Sequence, residues 1–155
     1  WGYQPGHFSE WSKLLLLLHK HQPASWLVPR ARALFELAME MGYDPLYGGI
    51  YYGIAPSGNV CADGKYSWVQ AESIVAAGLL ARRLGNNLYW CIYDQLWSYT
   101  FANMIDHRLK CWHRNLTRNN CLPKESAVVM GRTDYHAICA CIEMAKLYET
   151  GVPGT

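Results

Sequence analysis

The chain repeats a pattern, and the repeat limits its fold more than any single motif does. The stretch YYGIAPSGNVCADGKYSWVQAESIVAAGLL, from Tyr51, sets a glycine-rich hairpin before a helix. About 60 residues later CWHRNLTRNNCLPKESAVVMGRTDYHAICACIEM, from Cys111, does the same. Each unit reads helix, short hairpin, helix. A unit of this kind cannot bury its apolar face alone. Stacked units bury a continuous core between paired helices and gather their connecting loops at one end. Residues at the loop-to-helix junctions are therefore expected to meet, however far apart they are in sequence.

The helices follow from apolar spacing. Phe8, Trp11, Leu14, Leu15 and Leu18 recur at i, i+3, i+4 and i+7, which predicts a helix over 8–20 with those residues inward. A second helix runs from about 25 to 41, with Leu34, Leu37, Ala38 and Met41 on one stripe and Gly42 as its stop. Residues 46–61 read as a hairpin turning through Pro56-Ser57-Gly58-Asn59. Helical pattern returns over 67–84 and ends at Gly85-Asn86; the next helix spans about 88–104, with Leu88, Ile92, Leu96, Tyr99 and Met104 near one stripe. Residues 111–122 read as a second hairpin around Arg118-Asn119-Asn120, and a last helix covers 135–148. The fold class is all-α, with short β-hairpins in the connections.

Charge and cysteine usage narrow the function classes. The net charge is only +2 and the basic residues are scattered, which argues against a nucleic-acid footprint. The longest apolar run, Leu14 to Leu18, falls far short of the ~20 residues that cross a bilayer. Six cysteines occur without a CxxC, and Cys139 and Cys141 stand at a helical i, i+2 spacing that points them apart. Free thiols in a reducing compartment, and hence a cytoplasmic protein, are expected. His19 and His21 share the same unfavourable spacing, so no metal site is expected. Seven Trp and eleven Tyr are many for so short a chain, and such rings suit surfaces that are apolar yet meet polar partners, as carbohydrate pockets are.

Three junctions carry the candidate chemistry. In Trp1-Gly2-Tyr3-Gln4-Pro5-Gly6-His7 a proline and two glycines deliver a histidine to a helix start, and Glu10, three residues on, shares its face and would orient the imidazole. Trp1 and Tyr3 would wall the site. In Lys65-Tyr66-Ser67-Trp68-Val69-Gln70-Ala71-Glu72, Trp68 and Glu72 stand at i, i+4, a stacking platform beside a carboxylate. In Asp134-Tyr135-His136 a natural cap precedes a second histidine. Two histidines with carboxylates nearby, and neither nucleophile nor metal cage, suit proton transfer beside a carbonyl without a cofactor.

These residues resemble a known family. Pro5-Gly6-His7-x-x-Glu10-Trp11, Trp68-x-x-Ala71-Glu72 and Asp134-Tyr135-His136, in this order, are similar to the N-acylglucosamine 2-epimerase superfamily, with the KYSWVQAE run nearest its mannose and sulfoquinovose isomerase branch. The resemblance implies an (α/α)6 barrel with a monosaccharide bound at its loop end. It also implies His7 and His136 as the proton-transfer pair, Glu10 as the partner of His7, Trp68 as a wall of the sugar site and Glu72 as a supporting carboxylate. The implied reaction is interconversion of a mannose-type aldose and its ketose through a cis-enediol, with no cofactor. A 2-epimerase acting on N-acylglucosamine or a related sugar, and a non-catalytic helical-repeat fragment, are the alternatives. Twelve helices need about 370 residues, so residues 1–155 are expected to be the C-terminal part of one barrel, with the flank of an open ring exposed.

Overall fold

Residues 2–124 and 135–149 are described by the structure, a computed structural model. Helix α1 (Pro5–His21) begins on a proline at its first position, where the missing N–H is no loss. It therefore starts three residues before the apolar pattern does, and His7 lies within its first turn. Helix α2 (Leu27–Gly42) packs on α1. Two short strands, β1 (Gly53–Ile54) and β2 (Val60–Ala62), form the first hairpin, at the turn the Pro56–Asn59 sequence predicts.

Strand β3 (Lys65–Tyr66) runs directly into α3 (Ser67–Leu84), whose range matches the sequence pattern and which ends where Gly85 takes a left-handed φ of 61°. Helix α4 (Asn87–Tyr99) is capped by the Asn86 side chain on the Leu88 N–H at 2.9 Å. It widens into a π-helical turn over Thr100–Met104 before β4 (Ile105–Asp106), β5 (Cys111–Trp112) and β6 (Asn115–Leu116). The last described element is α5 (Tyr135–Glu149).

Helix α3 is the centre of the molecule. It touches α1, α4 and α5, and most of its residues are buried, including the run from Val69 to Gly78. Small side chains make those close crossings feasible. A Cβ on Gly78 would lie 2.8 Å from the Met144 sulfur of α5, and Ser73 of α3 donates to Ser9 of α1 at 2.7 Å with both hydroxyls fully buried. In this arrangement α1, α3 and α5 stand side by side, with α2 and α4 packed against them.

Sequence expectations are corrected in two respects, the buried faces of helices and the pairing of one hairpin. The buried face of α1 is Ser9, Ser12, Leu15 and Leu16, whereas Trp11, Leu14 and Leu18 are 58%, 42% and 44% exposed. Ser9 faces α3 at a crossing close enough for a serine–serine bond, and the bulky row turns outward. Helix α5 likewise exposes Tyr135, Ile138 and Ile142. Both α1 and α5 therefore carry exposed apolar rows. In α2 the stripe shifts by one position, burying Phe35 with Ala38 and leaving Leu37 at the surface. The second correction concerns the hairpin expected over 111–122. Strand β5 pairs instead with β4, and β6 pairs with β3, Tyr66 opposite Asn115 and Lys65 opposite Leu116. The β3–β6 ladder joins two of the repeated units at the start of α3.

Candidate active site

Helices α1, α3 and α5 present their N-termini to one cleft of about 350 Å³, lined by His7, Glu10, Tyr66, Ser67, Trp68, Arg114, Tyr135 and His136. The lead-in to α1 is held by strand-like pairing. The Tyr3 N–H donates to the Ile54 carbonyl at 2.7 Å, and the Ile54 N–H returns the bond at 2.9 Å. A Cβ on Gly2 would come within 2.4 Å of that carbonyl, so the sequence needs glycine there. Tyr3 is taken up by this pairing and by its ring contact with Phe8, away from the cleft lining. Trp1 and Asp134, read as a wall residue and a cap, lie outside the described residues.

Trp68 stands between the two histidines. Its ring centroid is 5.1 Å from that of His7 and 5.7 Å from that of His136. Tyr52 meets it edge-on at 6.3 Å and stacks on Tyr66 at 4.2 Å. Gly6 permits this packing, because a Cβ there would lie 2.7 Å from two carbons of the indole and 2.8 Å from a Val69 methyl. Gly6→Ala is therefore expected to push the indole out of line with the imidazoles. Displacements of that size cost about 10- to 100-fold in rate, so proton transfer that uses these imidazoles should slow by that factor while circular dichroism stays unchanged.

His136 has a carboxylate partner. Its Nδ1 lies 2.7 Å from Glu72 Oε1, and Glu72 Oε2 forms an ion pair with Lys13 Nζ at 2.5 Å. Glu72 is 2% exposed, so the pair is shielded from solvent. The relay Lys13–Glu72–His136 takes one residue from each of α1, α3 and α5. A carboxylate on Nδ1 requires a proton there, which leaves Nε2 as the imidazole's free nitrogen.

Glu10 is placed differently from the sequence expectation. Among the described residues it makes no hydrogen bond to His7. Instead its carboxylate, that of Glu72 and the His136 ring offer donor atoms all within 4.8 Å of one another. The i, i+3 spacing does put His7 and Glu10 on one face. However, the His7 ring leans onto Trp68, while Glu10, one turn further on, reaches the Glu72–His136 pair. Among the described residues, Glu10, Glu72 and His136 are also near enough to one another to hold a divalent cation. The Lys13 ammonium already balances the Glu72 charge.

Beneath the cleft wall a buried ion pair holds β3. Strand alternation turns Lys65 away from the cleft-facing Tyr66. Its Nζ reaches Asp44 Oδ2 at 3.1 Å and the Gly48 carbonyl, with both charged side chains at 0% exposure. The ammonium also lies over the rings of Tyr51 and Tyr99, at 5.2 and 5.6 Å. Burial would raise the Asp44 pKa, but the Leu46 N–H, the Lys65 ammonium and the Tyr51 hydroxyl together bring it down to about 2. Burial lowers the Lys65 pKa, and the Asp44 carboxylate beside it works against that.

Two cleft-associated residues were missed by the sequence reading. Lys13 stands three residues after Glu10 in a leucine-rich helix, and nothing in the apolar spacing singles it out. Arg114 sat in a segment read as a self-pairing hairpin. It enters the site because β6 pairs with β3, and its carbonyl accepts from the Ser67 N–H at 3.0 Å and the Ser67 hydroxyl at 3.1 Å.

The family model described as N-acylglucosamine 2-epimerase (GlcNAc 2-epimerase) matches residues 1–140. A D-mannose isomerase of Marinomonas mediterranea is 45% identical over 146 residues, covering 94% of this chain and 37% of that protein. A D-mannose isomerase of Thermobifida fusca is 30% identical over 145 residues, 88% of this chain and 34% of that one. A crystal structure of a D-mannose isomerase superposes with a TM-score of 0.89 at 45% identity, over 94% of this chain and 37% of the other. The cellobiose 2-epimerase of Bacillus thermoamylovorans shares the fold at 15% identity, with a TM-score of 0.81 over 96% of this chain and 40% of that one. The chain thus spans little more than a third of the length of the relatives it matches.

Proposed function

The chain belongs to the N-acylglucosamine 2-epimerase family, and from that premise we propose that it supplies the proton-transfer site of an aldose–ketose isomerase acting on mannose. The observation that carries this reading is the Lys13–Glu72–His136 relay, facing His7 across the indole of Trp68. His136 Nε2 takes the C2 proton of the open-chain aldose. Protonation of the C1 carbonyl oxygen gives a cis-enediol. The O2 hydroxyl then loses its proton as His136 returns a proton to C1, leaving the ketose with no net change in protons. Glu72 holds the Nδ1 proton and stabilises the imidazolium while it exists, and Lys13 fixes the Glu72 carboxylate through its ion pair. His7, which has no carboxylate partner among the described residues, moves the proton that opens the pyranose. Trp68 offers an aromatic face to the sugar's C–H groups. Glu10 lies where a substrate hydroxyl can donate to it.

Proton NMR of the full-length enzyme incubated with mannose tests this. Fructose is the expected product, and glucose without fructose would replace the isomerase reading by 2-epimerisation. All six cysteines are unpaired, which supports a reducing, cytoplasmic setting. No helix of the described residues is long and apolar enough to cross a membrane.

A further inference from the structure

We propose that Arg114 is a specificity-determining residue of this site, gripping neutral hydroxyls of the sugar at the part of the molecule that the two imidazoles do not hold. The proposal rests on the isomerase reading above and adds to it a residue and a substrate preference. Arg114 lines the cleft, is exposed, and its guanidinium makes no hydrogen bond or ion pair among the described residues. Its backbone, by contrast, is fixed by the two Ser67 bonds at the start of α3 and by the neighbouring β3–β6 pair. A planar fork of five donors on a rigid backbone is thus left for a ligand.

Its location separates it from the chemistry. The histidines come from α1 and α5 on either side of Trp68, whereas Arg114 comes from the β-ladder wall beside Ser67. It therefore meets the substrate on a different side from the reacting carbons. The charge pattern identifies the ligand class. Glu10, in the same cleft, also lacks a hydrogen-bond partner among the described residues, so the lining offers one free carboxylate and one free guanidinium. A polyol matches both, its hydroxyls donating to Glu10 and accepting from Arg114. An anionic substituent would satisfy Arg114 and be repelled by Glu10.

The test compares wild type, Arg114→Ala, Arg114→Gln and Arg114→Lys in the full-length enzyme. Loss of hydrogen bonds from a charged donor implies a KM for mannose raised about 10- to 100-fold in Arg114→Ala and Arg114→Gln, and less in Arg114→Lys. The kcat should change by less than about threefold, and the pH profile of kcat should not move. An unchanged KM, or a fall in kcat at constant KM, would overturn the proposal. Inorganic phosphate is the second probe: competition with mannose that disappears in Arg114→Ala would show an anion site and overturn the neutral-polyol assignment. Equilibrium binding of mannose, followed by calorimetry in wild type and Arg114→Ala, keeps the two readings apart. If wild type binds mannose but does not isomerise it, the isomerase reading fails while weaker binding by the variant still supports Arg114.

Discussion

Replacing His136 by alanine in the full-length enzyme is expected to lower kcat on mannose by about 10²- to 10⁴-fold, the range that a positioned acid–base group supplies. Stability should hardly change. The variant leaves Glu72 paired with Lys13 at 2.5 Å, so no buried charge is stranded. Urea denaturation separates the two effects, and a kcat loss below tenfold with the fold intact would sink the assignment of His136. Isotope exchange resolves the roles of the two histidines. In deuterated water wild type should replace the C2 hydrogen of mannose with solvent deuterium during turnover, and His136→Ala should lose that exchange. His7→Ala should retain exchange in proportion to the open-chain sugar present, because its proposed role ends at ring opening.

The second large effect is on stability. Lys65→Met removes the buried ammonium from a fully buried carboxylate and leaves it the half-exposed Arg118 guanidinium at 3.4 Å, and breaking a buried pair costs about 3–5 kcal/mol. The midpoint of urea unfolding should fall accordingly. Asp44 would keep the Leu46 and Tyr47 N–H groups at 3.0 and 3.3 Å and the Arg118 Nε at 3.4 Å, which together cannot replace the ammonium. Asp44→Asn combined with Lys65→Met leaves an acceptor for those N–H groups and no stranded charge. The double variant should therefore recover at least about 1 kcal/mol over Lys65→Met. Acid titration gives an independent check. Folding holds the Asp44 pKa at about 2, below its value of about 3.9 in an unfolded chain. Its stabilisation is complete above about pH 4 and is lost as the pH falls through about 2. In Lys65→Met the carboxyl loses a partner that lowers its pKa, so the acid-dependent loss should be smaller and end at higher pH.

Much of the site was legible because junction chemistry is local. Gly6, His7 and Pro5 sit within one turn, and the 67–84 helix carries both Trp68 and Glu72 at a spacing that fixes their common face. The N-termini of α1, α3 and α5 meet as a stacked repeat requires. Pairing between distant segments was not legible. Nothing in Asn115-Leu116 singles out Lys65-Tyr66 as its partner, because strands of two residues carry almost no register information. Periodicity also misled on α1. It ranks Trp11 and Leu14 above Ser9 and Ser12, yet the tight α1–α3 crossing selects for size before hydrophobicity. Glu10 illustrates a further limit: a shared helical face makes contact with His7 feasible, but the position of His136 on α5 decides where the carboxylate lies.

The β3–β6 ladder also has a kinetic side. Ser67 and Arg114 are 47 residues apart in sequence, and the ladder that brings them together is two residues long on each strand. Helices α3 and α4 are nearby in the chain and can associate early, whereas closing so long a loop over so few bonds offers little reward until the helices are in place. The cleft wall should then be among the last parts to assemble and among the first to open from the native state. Amide hydrogen exchange at Ser67 would report that opening, at a free energy well below global unfolding.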